Sequence, residues 1–346
     1  MKTKTVIVIL NWNGSGMLRQ FLPFVIRYSS SEDTLVYVAD NGSTDDSLPV
    51  LESRFPEVNR IVLDRNYGFA DGYNLALKQI DAEYYVLLNS DVEVTEGWLS
   101  PLINYLDMHP DVAACQPKIR SWRNKDYFEY AGACGGFIDR FGYPFCRGRV
   151  MGVVEKDNNQ YQDIIPVFWA SGASLVIRSA EYHKVGGLDG RFFAHMEEID
   201  LCWRLINSGK KIVCLPQSTV YHVGAATLKK ENPQKTFLNF RNNLVMLYKN
   251  LPENEITYTM GVRRILDYMA ATFFFIKGQF PNARAVFRAR KAFNSMQMEL
   301  REDRNDRQQR KSLDDIPGLM KKSILAQYYL RGKKYFSRLK SDINLA

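Results

Sequence analysis

The stretch TVIVILNWNG, residues 5–14, joins an apolar run rich in β-branched residues directly to a polar loop that contains glycine. A run of this kind predicts a buried strand, and its polar continuation predicts a loop at the carboxyl end of that strand. Four further runs follow up to residue 118, separated by segments of helical periodicity. This alternation indicates an α/β domain with a parallel sheet covered by helices, in which ligands bind at the carboxyl ends of the strands.

Similar patterns define the expected elements beyond this first part. Residues 119–165 are rich in glycine, aromatic and charged residues and predict an irregular excursion or hairpin, and from residue 229 the pattern is helical. The mostly polar stretch Gln297–Asp315 predicts a solvated helix or a flexible linker. The predicted strands are Thr5–Leu10, Thr34–Ala39, Asn59–Leu63, Tyr84–Leu88, Val112–Gln116, Val167–Ile177 and Lys211–Leu215, and the predicted helices are Met17–Tyr28, Ser47–Phe55, Ala70–Gln79, Trp98–Met108 and Ile199–Ser208.

Positive charge is concentrated toward the C-terminal end of this 346-residue chain, whose net charge is +8. Residues 1–228 carry 22 Lys and Arg against 27 Asp and Glu, whereas residues 229–346 carry 24 against 11. A basic segment indicates an anionic partner, which could be anionic lipid, a lipid diphosphate or nucleic acid; a solvated basic face is the alternative. Apolar residues near helical spacing, interleaved with Lys and Arg, predict an interfacial helix at Met320, Ile324, Tyr328, Tyr335 and Leu339.

Two further features bear on location. The apolar stretch Ile265–Ile276 is too short to span a bilayer and is interrupted by Asp267, so it predicts a buried or interfacial helix. The five cysteines form no CxxC pair, and residues 1–10 lack the pattern of a secretory leader. We therefore expect reduced, mostly buried thiols in a cytoplasmic protein.

Short polar side chains follow the first two predicted strands. Asn11 and Asn13 follow the first strand, and Asp40 and Asn41 follow the second. Such side chains can hydrogen-bond a base and a ribose, and we place Asp40 on the nucleoside. Because DNGS, residues 40–43, is also ordinary turn chemistry, an ordinary turn is the alternative.

The third predicted strand leads into RNYGFADGYN, residues 65–74, a glycine-bearing loop that opens a helix. Such a turn offers free backbone N–H groups to a diphosphate, and Arg65 would add positive charge. Asn66, Gly68 and Asn74 are the other candidate nucleotide-binding residues of this loop. A plain helix cap is the alternative.

The fourth predicted strand ends in Asn89-Ser90-Asp91. Because residues two apart on an extended chain share a face, Asn89 and Asp91 can point toward one ligand. Oxygen ligands suit Mg²⁺ or Mn²⁺ carried by a nucleotide diphosphate. His222 follows a strand and is the histidine best placed to complete such a site, although a lone histidine can equally be structural.

The segment FFAHMEEIDLCWR, residues 192–204, places three acids within four residues. We expect one of Glu197, Glu198 and Asp200 to be a general base, while its neighbours hold an arginine, a metal or an acceptor hydroxyl. Acids that stabilise the N-terminus of a helix are the alternative.

Taken in order, these motifs resemble those of family 2 glycosyltransferases with the GT-A fold, particularly the bacterial branch of rhamnosyltransferases and galactofuranosyltransferases. The resemblance implies an α/β fold with a mostly parallel central sheet flanked by helices and a C-terminal helical extension. It implies a catalytic domain at residues 1–228, with a nucleotide-binding part at 1–118 and an acceptor-side part at 119–228. Residues 229–346 would form the basic helical extension, a candidate for membrane association.

The resemblance also assigns roles to residues. It implies that Asp40 and residues 66–74 bind the nucleotide, and Asn89, next to Ser90, replaces the first acid of the family's Asp-x-Asp metal motif. Asp91 and His222 would then bind the metal. Glu198 is the base by position, with Glu197 and Asp200 as competitors. The segment WASGA, residues 169–173, would line the pocket for the acceptor and donor sugar through Trp169, Ser171 and Gly172.

The implied activity is that of an inverting, metal-dependent glycosyltransferase in surface polysaccharide synthesis. Its partners would be a UDP- or dTDP-linked sugar donor and a glycan or lipid-linked glycan acceptor. We expect a cytoplasmic location, with peripheral contact to the anionic inner face of the cell membrane, and no nucleic-acid partner.

Other functions are weighed on single features. A sugar nucleotidyltransferase would need a basic, glycine-rich loop after the first strand, and residues 11–16 contain no Lys or Arg. A nicotinamide oxidoreductase would need a third glycine that residues 14–19 lack. A membrane- or nucleic-acid-binding module without catalysis would account for the basic C-terminal part alone.

Overall fold

The computed structural model describes residues 3–29, 31–224, 232–306 and 310–345. The described strands are β1 Thr3–Asn11, β2 Thr34–Asn41, β3 Asn59–Leu63, β4 Ala82–Asn89, β5 Val92–Val94, β6 Val112–Ser121, β7 Gly136–Asp139, β8 Pro144–Cys146, β9 Arg149–Val150, β10 Val153–Val154, β11 Ile165–Pro166, β12 Ser174–Arg178, β13 Lys211–His222 and β14 Leu319–Met320. The described α-helices are α1 Ser15–Ser29, α2 Ser47–Arg54, α3 Gly68–Leu77, α4 Ser100–Met108, α5 Ser179–Lys184, α6 Glu197–Asn207, α7 Pro233–Asn250, α8 Glu253–Ile276 and α9 Phe280–Asp306.

The central sheet has the strand order β11-β13-β6-β12-β4-β1-β2-β3, with β5 paired to β13. Strands β1 to β4 run parallel to one another, as do β6 and β13, whereas β12 runs antiparallel between β4 and β6. Side chains alternate along β1, so that Val6 and Val8 enter one hydrophobic cluster and Ile7 and Ile9 enter the other. Apolar clusters on both faces of the sheet confirm the predicted α/β architecture.

The predicted elements of residues 1–118 are confirmed, with shifts at their ends. The strand predicted at Val167–Ile177 is wrong for its first part, because β12 begins only at Ser174. The preceding backbone has scattered partners: the Trp169 carbonyl accepts from Gly136, and the Ser171 N–H donates to Oε1 of Gln116 at 2.8 Å. These partners lie in different segments, so the chain turns through residues 167–173.

A smaller sheet, with the order β10-β9-β8-β7-β14 among the described residues, lies beside the central one. Strands β7 and β8 form an antiparallel hairpin, which is one of the two structures predicted for residues 119–165. Strand β14, from the C-terminal part, pairs with β7 in parallel. The C-terminal segment therefore completes a sheet that residues 136–154 begin.

The interfacial helix predicted over Met320–Leu339 is wrong. After β14 the chain forms only short helical turns, at Ala326–Leu330, Phe336–Arg338 and Lys340–Asp342. Ile324 and Leu339 are fully buried, and the Ile324 N–H donates to Oδ2 of Asp139 at 2.8 Å. Met320, Ile324 and Leu339 pack into the protein core, whereas Tyr335 is exposed, so the five predicted residues do not form one apolar face.

Residues 233–306 are helical, as predicted, and Gln297–Asp306 continues α9. One hydrophobic cluster contains Leu87 of β4, Trp203 of α6, Leu244 of α7 and Phe293 of α9. Residues on both sides of position 228 therefore share one core.

All five cysteines are buried and none is in a disulfide, as predicted. The Sγ atoms of Cys134 and Cys214 lie 3.8 Å apart. In the part of the chain that the structure describes, no helix has the length and apolar character needed to cross a membrane.

Candidate active site

Polar residues meet at the carboxyl ends of three adjacent parallel strands. Asn11 and Asp40 are register partners at the ends of β1 and β2, and Asn89, on the other side of β1, pairs with Leu10. Asn11 Nδ2 donates to Asp40 Oδ2 at 3.1 Å, and the Ser43 N–H donates to Asp40 Oδ1 at 2.9 Å. Such an edge is where open α/β sheets bind ligands, and Asn11, Asp40 and Asn89 come together there as predicted.

The turn before α3 is fixed to this edge by Asn41. Its Nδ2 donates to Asn66 Oδ1 at 3.1 Å and to the Gly68 carbonyl at 2.9 Å, while its Oδ1 accepts from the Tyr67 N–H at 3.0 Å. Gly68 has a φ of +77°, and a Cβ there would lie 2.5 Å from the Phe193 ring. Glycine therefore allows the turn to touch the loop that precedes α6.

Other predicted donor residues have different surroundings. The Asn13 Oδ1 accepts from the N–H groups of Thr44 and Asp45 and so fixes the loop after β2. The exposed Arg65 guanidinium lies 4.7 Å from the Tyr67 ring centroid. Asn74 is not brought to the cluster, because its amide bonds with Leu188 and with the Tyr182 hydroxyl. Ser90 lies near the β1–α1 turn, 3.6 Å from where a Gly14 Cβ would be.

Asp91 and His222 are neighbours, as the sequence predicted. His222 ends β13 opposite Val92 of β5, which places its ring beside the residue before β5. The His222 Nε2 lies 3.1 Å from Asp91 Oδ1 and 3.4 Å from Asn89 Nδ2. On its other side, His222 Nδ1 lies 3.6 Å from Glu129 Oε2.

This histidine has the environment typical of a metal-ligating imidazole. One ring nitrogen faces the candidate ligand Asp91, and the other faces a carboxylate that can orient the ring. Burial opposes a charged ring, but the neighbouring carboxylates of Asp91 and Glu129 outweigh it and raise the pKa of His222 to about 10. Burial likewise raises the pKa of Asp91, and the hydrogen bond with His222 outweighs it, so the pKa is lowered.

No group of three or more His, Cys, Asp or Glu that could hold a metal ion occurs among the described residues. The site therefore offers two strong protein ligands, Asp91 and His222, with the Asn89 amide beside them. Mg²⁺ is commonly held by one or two carboxylates together with substrate phosphates and water. The residues thus fit a divalent ion that arrives with a diphosphate, and they do not form a closed metal cage.

The three acids of residues 197–200 lie in different environments at the start of α6. Glu197 is buried, and Glu198 is half-buried. Each has an Oε2 atom without a hydrogen-bond partner among the residues that the structure describes. Burial raises the pKa of Glu198 to about 7, and burial together with the Glu198 charge raises the pKa of Glu197 well above its usual range. A half-buried carboxylate with a pKa near neutrality is suited to act as a general base.

Asp200 has a structural environment instead. It is fully buried, its Oδ2 accepts from Lys249 at 2.9 Å and Arg204 at 2.8 Å, and its Oδ1 accepts from Asn250 at 2.8 Å. Burial opposes ionisation, but the Lys249 and Arg204 charges outweigh it and lower the pKa of Asp200. All its acceptor capacity is directed at the protein, so Asp200 joins α6 to α7.

We expect Asp200→Asn to destabilise the protein by about 3–5 kcal/mol, because it leaves the buried Lys249 and Arg204 without their shared carboxylate. Chemical denaturation measures this loss. Asp111→Asn is the control, since Asp111 forms an exposed pair with Lys211 and should change stability by less than about 1 kcal/mol. If Asp200→Asn is as stable as wild type but inactive, Asp200 takes part in catalysis.

The loop before α6 is strained and is held from α7. Phe193, His195 and Met196 have φ values of +63°, +72° and +74°, which side chains other than glycine rarely adopt. Asn242 Nδ2 donates to the carbonyls of Phe192, Ala194 and His195 at 2.8–2.9 Å. The amide of Asn242 therefore fixes the backbone that positions Glu197 and Glu198.

The sequence predictions did not include Asn242 or Glu129. Two adjacent asparagines, Asn242 and Asn243, inside a long helix are a detectable signal, because asparagine is a poor helix former. Glu129 lies in an irregular segment and had no such signal.

The predicted sugar-pocket segment is only partly at this site. Gly172 lies beside it, since a Cβ there would be 3.2 Å from Phe69 and 3.9 Å from Glu198 Cβ. Trp169 is core: its ring covers Gly136 and its Nε1 donates to the Phe137 carbonyl at 2.9 Å. The Ser171 hydroxyl donates to the Ala131 carbonyl at 2.7 Å. Gly172 is thus the member of this segment that lies beside Glu198.

The chain is similar to known glycosyltransferases in sequence and in fold. The profile of the family described as "Glycosyl transferase family 2" matches residues 6–166. The chain is 27% identical over 234 residues to N-acetylglucosaminyl-diphospho-decaprenol L-rhamnosyltransferase of Mycobacterium tuberculosis. The aligned region covers 62% of this chain and 75% of that protein.

Two solved structures share the fold. A structure of GalNAc-T7 with UDP, GalNAc and Mn²⁺ matches with a TM-score of 0.57 at 15% identity, over 73% of this chain and 49% of that one, so this chain spans about half of that protein. A structure of S. aureus TarS 1-349 in complex with UDP-GlcNAc matches with a TM-score of 0.53 at 15% identity, over 88% and 89% of the two chains.

Proposed function

Because the chain carries a domain of glycosyl transferase family 2 at residues 6–166 and is a glycosyltransferase of the GT-A fold, we propose that it transfers a sugar with inversion at the anomeric carbon. The sugar comes from a nucleotide diphosphate donor, and the product contributes to a cell-envelope glycan. The observation that carries the proposal is the contact between the candidate donor turn and the acid-bearing loop. There the Phe69 N–H donates to the Phe193 carbonyl at 2.7 Å.

In this proposal the nucleotide occupies the carboxyl edge of the sheet. Asp40 and Asn11 lie at the strand ends, where short polar side chains can hydrogen-bond the base and ribose. The turn at residues 66–69 lies beside them, but its Tyr67, Gly68 and Phe69 N–H groups already bond to Asn41, Asn66 and Phe193. The diphosphate would therefore be met by the exposed Arg65 at this turn and by the divalent ion. UDP or dTDP would be the carrier, in keeping with the UDP-sugar complex of TarS.

Glu198 acts as the base in the proposed reaction. Its carboxylate accepts the proton of the acceptor hydroxyl, the hydroxyl oxygen forms a bond to C1 of the sugar, and the bond between C1 and the diphosphate oxygen breaks. The nucleotide diphosphate departs with the electron pair of that bond. One displacement inverts the anomeric configuration and needs no covalent enzyme intermediate.

A divalent ion, Mg²⁺ or Mn²⁺, held by Asp91 and His222, would supply positive charge to offset the charge of the departing diphosphate. The mixed carboxylate and imidazole pair, with Glu129 behind the ring, supports this assignment. Mn²⁺ is present in the related GalNAc-T7 structure.

The acceptor in this proposal is a glycan hydroxyl on a lipid diphosphate, as in the name of the mycobacterial relative. A sugar nucleotidyltransferase is disfavoured, because the β1–α1 turn at residues 11–14 has no cation to hold a triphosphate.

The test incubates the purified protein and a divalent ion with a panel of UDP- and dTDP-linked sugars and diphospho-lipid acceptors. We expect one donor to raise the melting temperature and to yield a glycosylated lipid with inverted configuration. Formation of a nucleotide sugar from a sugar phosphate and a nucleoside triphosphate, without transfer to any acceptor, would overturn the proposal.

A further inference from the structure

Helix α8 has its polarity reversed relative to an ordinary surface helix. The residues that it buries against the protein include Thr259, Arg263 and Asp267. Asp267 accepts from Arg263 at 3.0 Å and from Arg290 of α9 at 2.6 Å, so the charged residues of the buried face neutralise one another. A surface helix normally buries its apolar stripe instead.

The opposite face of α8 is apolar and exposed. At 100° per residue, the positions 258, 265, 268, 269, 273, 275 and 276 fall on one side of the helix. Met269 and Phe275 are each 62% exposed, and Ile276 is 77% exposed. The exposed large apolar residues of this face are Tyr258, Ile265, Tyr268, Met269, Phe273, Phe275 and Ile276.

Helix α9 extends the same surface. Phe275 and Phe280 are in edge contact across the turn between the helices, with ring centroids 5.1 Å apart, and Tyr268 stacks on Phe287 at 5.7 Å. Phe280 and Phe287 are themselves about half exposed. The two helices thus present one continuous aromatic surface, which we call the α8–α9 face. A patch of this kind marks an interaction site, because monomeric soluble proteins rarely expose one.

The charge around this face has a single sign. Between Glu255 and Glu299 the sequence holds seven Lys and Arg, and its one acid, Asp267, is buried in the network described above. Arg264, Lys277, Arg284, Arg288 and Lys291 are the exposed cations of this stretch. Exposed aromatic and aliphatic side chains bordered by Lys and Arg are typical of helices that lie in the interface of an anionic membrane.

We propose that the α8–α9 face docks the protein on an anionic lipid surface, with the apolar side chains inserted among the acyl chains and the cations at the headgroups. A nucleic acid would satisfy the cations but leave the aliphatic residues in water. A protein partner would call for acids opposite the cations. The lipid surface satisfies both features, and it is a different surface from the basic C-terminal segment predicted from the sequence.

The test sediments the full-length protein with vesicles of phosphatidylcholine alone or mixed with phosphatidylglycerol, without donor or acceptor, so that its result is independent of the proposed function. We expect wild type to pellet with the mixed vesicles. The triple variant Met269→Ser, Phe273→Ser, Ile276→Ser should remain in the supernatant, while its melting temperature stays near that of wild type because the three side chains are exposed.

Charge is tested with a matched pair of triple variants. Arg284→Gln, Arg288→Gln, Lys291→Gln should weaken binding to the mixed vesicles by on the order of 100-fold, at about fivefold per cation. Lys334→Gln, Arg338→Gln, Lys340→Gln removes three exposed cations from the C-terminal segment and should leave binding within about threefold of wild type.

Three results would overturn the proposal. The first is a wild-type protein that does not bind the mixed vesicles. The second is a wild-type dimer in sedimentation velocity that the serine variant converts to monomer, together with equal vesicle binding by both. The third is loss of vesicle binding in the C-terminal glutamine variant but not in the α8–α9 variants.

Discussion

Replacing Glu198 by glutamine is expected to lower kcat by about 10²–10⁴-fold and to leave donor affinity unchanged. Glutamine keeps the size of the side chain but cannot accept the acceptor's proton. Glu198 is half-buried at the first turn of α6, and its Oε2 has no hydrogen-bond partner among the described residues, so an amide nitrogen in that place breaks no hydrogen bond. The remaining oxygen of glutamine can still accept from the backbone N–H groups of this turn. Single-turnover rates and donor titration on the same sample separate the two quantities.

The adjacent acid provides the control. The pKa of Glu197 is raised well above its usual range by burial and by the Glu198 charge, so its carboxyl group holds its proton more strongly than a free glutamate. Glu197→Gln keeps the size of this side chain, and we expect it to keep most of the wild-type kcat. If Glu197→Gln abolishes transfer while Glu198→Gln does not, the base is Glu197.

The pH dependence follows from the same environment. Burial raises the pKa of Glu198 to about 7, and only its ionised form can accept a proton. The wild-type kcat/KM should therefore rise about tenfold per pH unit below that value and level off above it. This rise should be absent from the residual activity of Glu198→Gln.

The nucleotide-binding half of the fold was predictable because its signals are local. The apolar run at residues 5–10 and the four further runs specify buried strands. Because parallel strands bring their carboxyl ends to one edge, Asn11, Asp40 and Asn89 had to converge. Periodicity could not show that β12 would run antiparallel between β4 and β6. Strand direction depends on connections through residues 119–173, where no regular pattern exists.

The acid cluster shows where sequence reasoning ended. Spacing alone left Glu197, Glu198 and Asp200 as equal candidates for the base. They differ in the structure because Lys249, fifty residues later, and Arg204 bond to Asp200, whereas burial dominates the pKa of the other two. The prediction of an interfacial helix at the C-terminal apolar residues failed for the same reason. Their spacing is helical, but Met320 pairs with β7 as part of β14.

Replacing Asp91 by alanine is expected to abolish the stimulation of transfer by Mg²⁺ or Mn²⁺, with a loss in kcat/KM on the order of 10³-fold, equivalent to several kcal/mol of charge stabilisation at the diphosphate. Within the described ranges Asp91 is the carboxylate that faces His222 Nε2, so the variant leaves one imidazole nitrogen, which cannot hold a hard cation alone. Titration of transfer rate and of donor-induced thermal shift with Mn²⁺ measures the effect.

Variants of two nearby carboxylates, at different distances from Asp91 and His222, are compared with Asp91→Ala. Glu129→Gln removes the group behind His222 Nδ1 and should weaken the apparent Mn²⁺ affinity by about 10–100-fold without abolishing stimulation. Glu93, two residues from Asp91, pairs with Trp122 and Lys125, so Glu93→Gln should titrate like wild type. Transfer that is equally fast in chelator would place the charge stabilisation on protein side chains. An Asp91→Ala variant that responds to Mn²⁺ like wild type would show that the metal ion is held by other residues. The order of the three variants therefore tests whether Asp91 and His222 act together as one metal site.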